Sequence, residues 1–227
     1  MSLSNSQYHL RVILLILVFL CLNTISAECR ERTKHWHLRN NLFNTELDSI
    51  PKGGIVFLGN SITEGFKLDE YFPEAQTINR GIVADHIDGL VERLYNSAVG
   101  LEPKKIFLMI GINDIGDKRN DDYLKAMFVT LVDTLIISLP ETDLYLLSIL
   151  PTTPRWKNCP PDQIKRMNGF LAELALEKDL VFINLYPYFL GDMQYLNPDL
   201  TKDGLHPNQS GYDIMAEKIK PLLSAPE

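Results

Sequence analysis

Short apolar runs alternate with longer helical patterns over most of the chain, and this alternation constrains the fold more than any other feature of the sequence. The apolar runs are candidate strands: Ile55–Leu58, Thr77–Ile78, Ile106–Ile110, Leu144–Leu150 and Leu180–Ile183. Candidate helices are Glu31–Leu47, Ile87–Tyr95, Asp122–Leu139, Gln163–Leu176 and Gln209–Leu223, the last with Asn208 as its cap. Apolar strands separated by helices form a parallel sheet that is covered on both faces. The pattern therefore predicts an α/β protein with three layers, α/β/α.

The first 27 residues have the pattern of a secretory signal peptide. Arg11 is the only formally charged residue before Glu28, and it precedes an apolar run from Val12 to Leu22. At about 1.5 Å per helical residue, this run is much shorter than the ~30 Å hydrocarbon core of a bilayer. We expect residues 1–27 to be removed and residues 28–227 to form one exported domain, periplasmic or secreted. An uncleaved signal anchor, a buried helix and a lipoprotein are the alternatives.

Charge and cysteine content limit the partners. The chain carries 22 Lys and Arg against 29 Asp and Glu, a formal net charge of −7. Nucleic acid requires a basic surface, so we exclude it as a partner. Binding to a membrane through a polybasic protein surface is disfavoured for the same reason.

Cys29 and Cys159 could pair in an oxidising compartment or remain two unrelated thiols. Because no cysteine pair has zinc-like spacing, we expect no metal, and nothing indicates an organic cofactor. The oligomeric state stays open.

Three polar segments come directly after predicted strands, at Gly59–Ser61, Asn79–Gly81 and Gly111–Asp114. Ligands of open parallel sheets bind outside the carboxyl ends of the strands, so all three segments should meet at one edge. Two loops, Pro151–Pro154 and Tyr186–Pro207, are candidates for its rim.

Ser61 is the candidate nucleophile at this edge. It stands on a strand-to-helix turn, where the first amides of the helix favour negative charge. A serine hydroxyl needs a neighbouring base and a group that orients the base. On position alone, a helix-capping serine is the simpler interpretation.

His206 is the candidate base, because Asp203 precedes it by one turn and can fix its tautomer. The other four histidines lie in less suitable places: in the predicted signal peptide (His9), in a polar stretch (His35, His37) and near a helix start (His86). Candidate oxyanion donors are the amides of Ser61 and Gly81 and the side chain of Asn113. Taken singly, these residues are equally well explained as turn residues.

Together the segments resemble the four sequence blocks of the SGNH, or GDSL-type, hydrolases: Gly59–Gly65, Gly81, Gly111–Asp114 and Asp203–His206. Their surroundings look most like the branch that contains platelet-activating-factor acetylhydrolase catalytic subunits and bacterial secreted esterases. The resemblance implies a flavodoxin-like fold with a five-stranded parallel sheet. It also implies a catalytic triad of Ser61, Asp203 and His206, and an oxyanion hole formed by Ser61, Gly81 and Asn113.

Asn60 stands where this family often has Asp before the nucleophile. Asparagine can still make the hydrogen bonds of the turn, so we expect activity to be retained. The α/β-hydrolases share the order Ser, Asp, His, but their elbow is Gly-x-Ser-x-Gly, and here Thr63 stands two residues after Ser61. The SGNH interpretation is therefore favoured.

The resemblance implies an ester hydrolase that forms an acyl-enzyme on Ser61. No apolar lid pattern is present, which disfavours a long-chain lipase. Hydroxyl and aromatic residues of the predicted loops could line a sugar site: Thr152, Thr153, Trp156, Tyr186 and Tyr188. We hypothesise short-chain, above all acetyl, ester substrates that are small molecules or glycans. A lysophospholipase or thioesterase, and a non-catalytic glycan-binding module, are the alternatives.

Overall fold

The computed structural model describes residues 31–223, and the predicted signal peptide and Cys29 lie outside this range. Within it, five strands form one sheet: β1 (Ile55–Gly59), β2 (Thr77–Gly81), β3 (Lys105–Met109), β4 (Asp143–Leu147) and β5 (Val181–Ile183). Every neighbouring pair is parallel, and the strand order is β2-β1-β3-β4-β5. This is the flavodoxin-like order. The predicted five-stranded parallel sheet is therefore confirmed.

Helices connect the strands and cover both faces of the sheet. They are α1 (Lys34–Glu46), α2 (Ser61–Glu64), α3 (Leu68–Tyr71), α4 (Ile87–Glu92), α5 (Leu94–Ser97), α6 (Ile112–Gly116), α7 (Asp121–Ser138), α8 (Pro161–Glu177) and α9 (Gln209–Ile219). Short 3₁₀ turns lie at Val99–Leu101, Tyr186–Phe189, Asp192–Gln194, Pro198–Leu200 and Lys220–Leu222. Helix α4 packs on α7 and α7 on α8 in one layer, whereas α3 contacts α9 in the other. The predicted three layers are present.

The centre of the sheet is held by an aromatic stack that follows the strand register. Phe57 of β1 stacks on Phe107 of β3 with ring centroids 4.9 Å apart, and Phe107 stacks on Tyr145 of β4 at 4.6 Å. The three residues are direct cross-strand neighbours in the ladder. Because β1 and β3 are buried along their whole length, both are apolar runs in the sequence apart from Lys105 at the start of β3.

Two strands end three residues away from their predicted ends, whereas the other strands end within one residue of the prediction. Strand β2 includes Asn79–Gly81, which therefore lies inside the strand rather than after it, because the β1–β2 ladder continues to its last residue. Strand β4 ends at Leu147, before the predicted end. The backbone N–H and C=O of Ile149 bond instead to the side chain of Asn168, at 2.8 and 2.9 Å. A side chain from a distant helix thus replaces the strand ladder there.

Two predicted helices are also modified. The stretch Ile87–Tyr95 forms two short helices that meet at Arg93, whose backbone leaves the helical region with φ −99° and ψ 12°. Helix α9 ends at Ile219, and a 3₁₀ turn that contains Pro221 follows, since proline lacks the N–H that an α-helix needs. The predicted cap is confirmed, because Asn208 Oδ1 accepts a backbone N–H of α9 at 3.1 Å.

Candidate active site

Ser61 is the first residue of α2 and follows the carboxyl end of β1, an inner strand that lies between β2 and β3. Asn60 caps this helix, since its Oδ1 accepts the N–H of Ile62 at 3.0 Å, so the expected turn hydrogen bond is confirmed. Gly59 allows the end of β1 to pack closely on its surroundings, because a Cβ there would lie 2.2 Å from the carbonyl oxygen of Met109 on β3 and 2.2 Å from Thr63 Oγ1. The Ser61 amide is one of the first of its helix and has no intrahelical acceptor.

The structure brings Ser61, His206 and Asp203 into one hydrogen-bonded chain. Ser61 Oγ lies 2.8 Å from His206 Nε2, and His206 Nδ1 lies 2.6 Å from Asp203 Oδ2. With Nδ1 donating to the carboxylate, the neutral ring presents Nε2 as an acceptor towards the serine hydroxyl. This geometry suits removal of the Ser61 proton by His206.

The turn that carries Asp203 and His206 is fixed by its own hydrogen bonds. Asp203 Oδ1 accepts the backbone N–H groups of Leu205 at 3.0 Å and of His206 at 2.8 Å. Gly204 adopts the left-handed region with φ 91°, and its N–H donates to Thr201 Oγ1 at 2.9 Å. Burial acts to raise the pKa of Asp203, but the hydrogen bonds from His206 and Leu205 outweigh it and lower the pKa overall. The carboxylate is therefore ionised at neutral pH.

The predicted rim loop after β4 contacts this turn. Trp156 Nε1 donates to the Asp203 carbonyl at 3.2 Å, and the Thr153 N–H donates to the Gly204 carbonyl at 2.8 Å. The other residues predicted to line a sugar site are placed elsewhere: Thr152 and Tyr186 are buried, and Tyr188 lies under the Lys218 ammonium. Of that set, only Thr153 and Trp156 contact the Asp203 turn.

Asn113 lies in the first turn of α6, which begins after Gly111 at φ 110°. One hydrogen of its side-chain amide donates to the Asp85 carbonyl at 2.8 Å, which orients the amide and leaves the second hydrogen available. Asn113 also lines a cavity of about 420 Å³, together with Ala84 and Leu205, the neighbour of His206. An amide held in this way can stabilise developing negative charge.

Gly81 is not available as an oxyanion donor, which corrects the sequence prediction. Its N–H donates to Asn79 Oδ1 at 2.9 Å, and a Cβ on Gly81 would lie 2.1 Å from the Glu64 nitrogen, so this glycine packs β2 against α2. Ala84 and His86, which both follow β2, line the cavity with Asn113, and the φ of Ala84 is left-handed at 60°. Sequence reasoning missed Ala84 because alanine gives no signal for that conformation.

A buried ion pair joins the two sides of the site. Arg93 Nε and Asp85 Oδ2 are 2.8 Å apart, and both side chains are fully buried. Trp36 Nε1 donates to Asp85 Oδ1 at 2.9 Å, and Arg93 Nη2 donates to the Gly59 carbonyl at 3.0 Å. The same Asp85 accepts the Asn113 amide on its backbone carbonyl. The pair therefore links the turn before Ser61 to Asn113, which the sequence did not reveal.

Two of the other described histidines contact carboxylates. His35 Nε2 lies 2.9 Å from Glu64 Oε1, and His86 Nε2 lies 3.1 Å from Asp117 Oδ2. Within residues 31–223, no group of three or more His, Cys, Asp or Glu side chains is arranged to hold a metal ion. In the same range, no helix has the length and apolar character needed to cross a membrane.

Cys159 is buried beside the cavity, and its thiol forms no disulfide with any described residue. Its Sγ lies 3.9 Å from the Ile112 carbonyl oxygen, and burial raises the thiol pKa to about 11. The thiol is therefore protonated at neutral pH, which makes it a poor nucleophile. Its predicted partner, Cys29, lies outside the described residues, so the pairing remains untested.

Residues 57–214 match the model of the GDSL-like lipase/acylhydrolase family. A protein of Streptococcus pneumoniae, provisionally named a platelet activating factor, superposes with a TM-score of 0.79 and 26% identity over 92% of this chain and 99% of its own. A GDSL-like lipase of Bacteroides thetaiotaomicron superposes with a TM-score of 0.74 and 26% identity over 81% of this chain and 96% of its own. An acetylxylan esterase of Geobacillus stearothermophilus shares the fold, with a TM-score of 0.63 and 19% identity over 78% of this chain and 97% of its own. Comparison with curated proteins gave no match.

Proposed function

The chain belongs to the GDSL-like lipase/acylhydrolase family of ester hydrolases, and on that premise we propose that it cleaves short-chain, above all acetyl, esters through an acyl-enzyme on Ser61. The observation that carries this proposal is the hydrogen-bonded chain from Ser61 through His206 to Asp203. A serine with only a capping role has no need of an imidazole at 2.8 Å from its hydroxyl.

In the proposed cycle, Ser61 Oγ attacks the ester carbonyl carbon while His206 Nε2 accepts the hydroxyl proton. The tetrahedral intermediate collapses, the bond to the alcohol oxygen breaks, and His206 returns the proton to the leaving alcohol. Water then attacks the acyl-enzyme with His206 again as the base, and the acid is released. The ionised Asp203 stabilises the imidazolium that forms in each half of the cycle.

The oxyanion formed in each half needs donors that are held in advance. We assign this role to the Ser61 amide at the start of α2 and to the free hydrogen of the Asn113 side chain. Ala84 replaces Gly81 as the third candidate, because it lines the same cavity as Asn113 whereas the Gly81 amide is engaged by Asn79.

Acetyl is the acyl group we favour, on an alcohol that is a small molecule or a glycan. Trp156, at the mouth of the site and partly exposed, offers a face on which a sugar ring can stack. The acetylxylan esterase among the structural neighbours shares only the fold, but it makes acetylated glycans the first substrates to test.

The proposal is tested with p-nitrophenyl esters of increasing acyl length and with acetylated xylo-oligosaccharides, using wild type and Ser61→Ala. We expect the acetate to be hydrolysed fastest, Ser61→Ala to be inert, and a fluorophosphonate probe to label Ser61. Equal rates for wild type and variant, or labelling of another residue, would overturn the assignment. Preference for long acyl chains would favour the lysophospholipase or thioesterase, and inertness of wild type would favour the binding module.

We also propose that the protein is exported, on the basis of the signal-peptide pattern in residues 1–27. N-terminal sequencing of protein recovered from outside the cytoplasm should then begin near residue 28. An intact N-terminus would instead support the uncleaved signal anchor.

A further inference from the structure

The cavity beside Asn113 is too large for the acyl group proposed above. Its volume is about 420 Å³, whereas an acetyl group has only two carbon atoms and needs little more than the space around the reacting carbonyl. The cavity is therefore available for the alcohol part of the ester. Its walls are the start of α6 on one side and the segment 155–159 on the other.

The wall formed by segment 155–159 carries two cations, Arg155 and Lys157. Both side chains are exposed, and neither has a carboxylate within 4 Å among the described residues. Within residues 31–223, Arg155 is the only arginine with neither an ion pair nor an aromatic ring beneath its guanidinium. The acidic residue of the cavity, Asp117, is in contact with His86.

The two cations stand on a segment that is fixed in place. The Trp156 N–H donates to the Thr153 carbonyl at 3.0 Å, and the Cys159 N–H donates to the Trp156 carbonyl at 2.9 Å. Trp156 Nε1 ties the same segment to the Asp203 carbonyl. A fixed backbone lowers the entropy cost of using these side chains in binding.

We infer that this cavity binds an anionic alcohol, so that the preferred substrates are acetyl esters of acidic sugars whose carboxylate meets Arg155 and Lys157. This rests on the proposed function, since it specifies the substrate of the same site. Arg155 can bind a carboxylate with two parallel hydrogen bonds, and Trp156 offers a ring face to the sugar. The net charge of −7 repels anions from the protein as a whole. A preference for an anionic ester therefore has to come from local cations, and Arg155 and Lys157 are such cations at the cavity.

Kinetics provide the first test, with an O-acetylated methyl glucuronoside and the matching O-acetylated methyl glucoside at low salt. We expect kcat/KM to be about threefold to tenfold higher for the acidic ester, mainly through a lower KM. A factor of this size is what two partly exposed charge pairs contribute to binding. Salt at about 1 M should remove the preference because the screening length falls to about 3 Å. The double variant Arg155→Ala/Lys157→Ala should lose it too, with little change for the neutral ester.

The matched control is Lys104→Ala, an exposed lysine just before β3 and therefore at the opposite edge of the sheet. It should leave the preference unchanged. Equal kcat/KM for the two esters, or a preference that persists in the double variant, would overturn the subsite while leaving the esterase intact.

A binding test separates this inference from the esterase itself. The chain has two tryptophans, of which Trp36 is 3% exposed and Trp156 is 36% exposed, so ligand-induced fluorescence changes report mainly on Trp156. Methyl glucuronoside should change the emission of wild type saturably, and methyl glucoside should require higher concentrations. If binding shows this preference but no ester is hydrolysed, the subsite stands and the proposed function fails. If neither sugar binds, or both bind equally, the subsite is refuted.

Discussion

Replacing Asp85 by asparagine tests whether the buried ion pair supports the candidate active site. Both carboxylate oxygens accept hydrogen bonds: Oδ1 from Trp36 Nε1 and the His86 N–H, and Oδ2 from Arg93 Nε. An asparagine must turn its NH2 group towards one of these sets of donors, so either orientation creates a donor–donor contact. The substitution also leaves the Arg93 charge buried without a counter-ion.

The expected loss of stability is large. Removing one partner of a buried ion pair costs about 3–5 kcal/mol, a substantial share of the ~5–15 kcal/mol by which a typical domain is stable. We expect the free energy of unfolding of Asp85→Asn to fall by that amount. Because the Asp85 carbonyl holds the Asn113 amide at 2.8 Å, kcat should also fall. The upper limit is the ~10²–10³ that loss of one oxyanion donor costs.

The assay is urea unfolding of wild type and variant, with kcat measured at a temperature where both are folded. Glu70→Gln is the control, because Glu70 pairs with Lys67 at 2.9 Å and both side chains are more than half exposed. An exposed pair of this kind is worth at most about 1 kcal/mol. A loss below about 1 kcal/mol for Asp85→Asn with an unchanged urea dependence, or equal losses for both variants, would refute the argument.

Three further predictions follow from the site and its supports. Asp203→Asn should lower kcat about 10⁴-fold with little change in KM, because His206 loses the partner that fixes its tautomer; a loss below tenfold would contradict this role. Burial raises the pKa of Asp114 to about 8, so the folded state keeps a proton that the unfolded state releases near pH 4. The free energy of unfolding should therefore fall as the pH rises from about 4 to 8, by up to about 1.4 kcal/mol per pH unit, and urea unfolding should show a flatter profile for Asp114→Asn. Gly81→Ala should cost about 1–3 kcal/mol or more in thermal or urea unfolding, since the new Cβ meets the Glu64 backbone; a neutral effect would show that α2 can shift.

Part of the site could be predicted from the sequence because it depends on local geometry. Asp203 and His206 are one turn apart, so their contact follows from spacing, and Ser61 follows an apolar strand that had to lie inside the sheet. Oxyanion donors that depend on backbone conformation were harder to predict from the sequence. The sequence favours Gly81 as a donor because glycine lets a substrate approach the backbone closely, but its N–H donates to an asparagine of the same strand. Ala84, which lines the cavity, carries no sign of its left-handed φ in its residue type.

The sequence by itself determined the elements of this protein: which runs are strands, which stretches are helices, and at which edge of the sheet the polar turns meet. It could do so because periodicity and turn residues act over a few neighbours along the chain. The tertiary structure alone decided the breaks at Ile149 and Arg93, the Trp36–Asp85–Arg93 network, and the cavity with its two unpaired cations. Each of these joins residues far apart in sequence. Burial, packing and hydrogen-bond satisfaction decide between such partners, and those forces act on the folded chain as a whole.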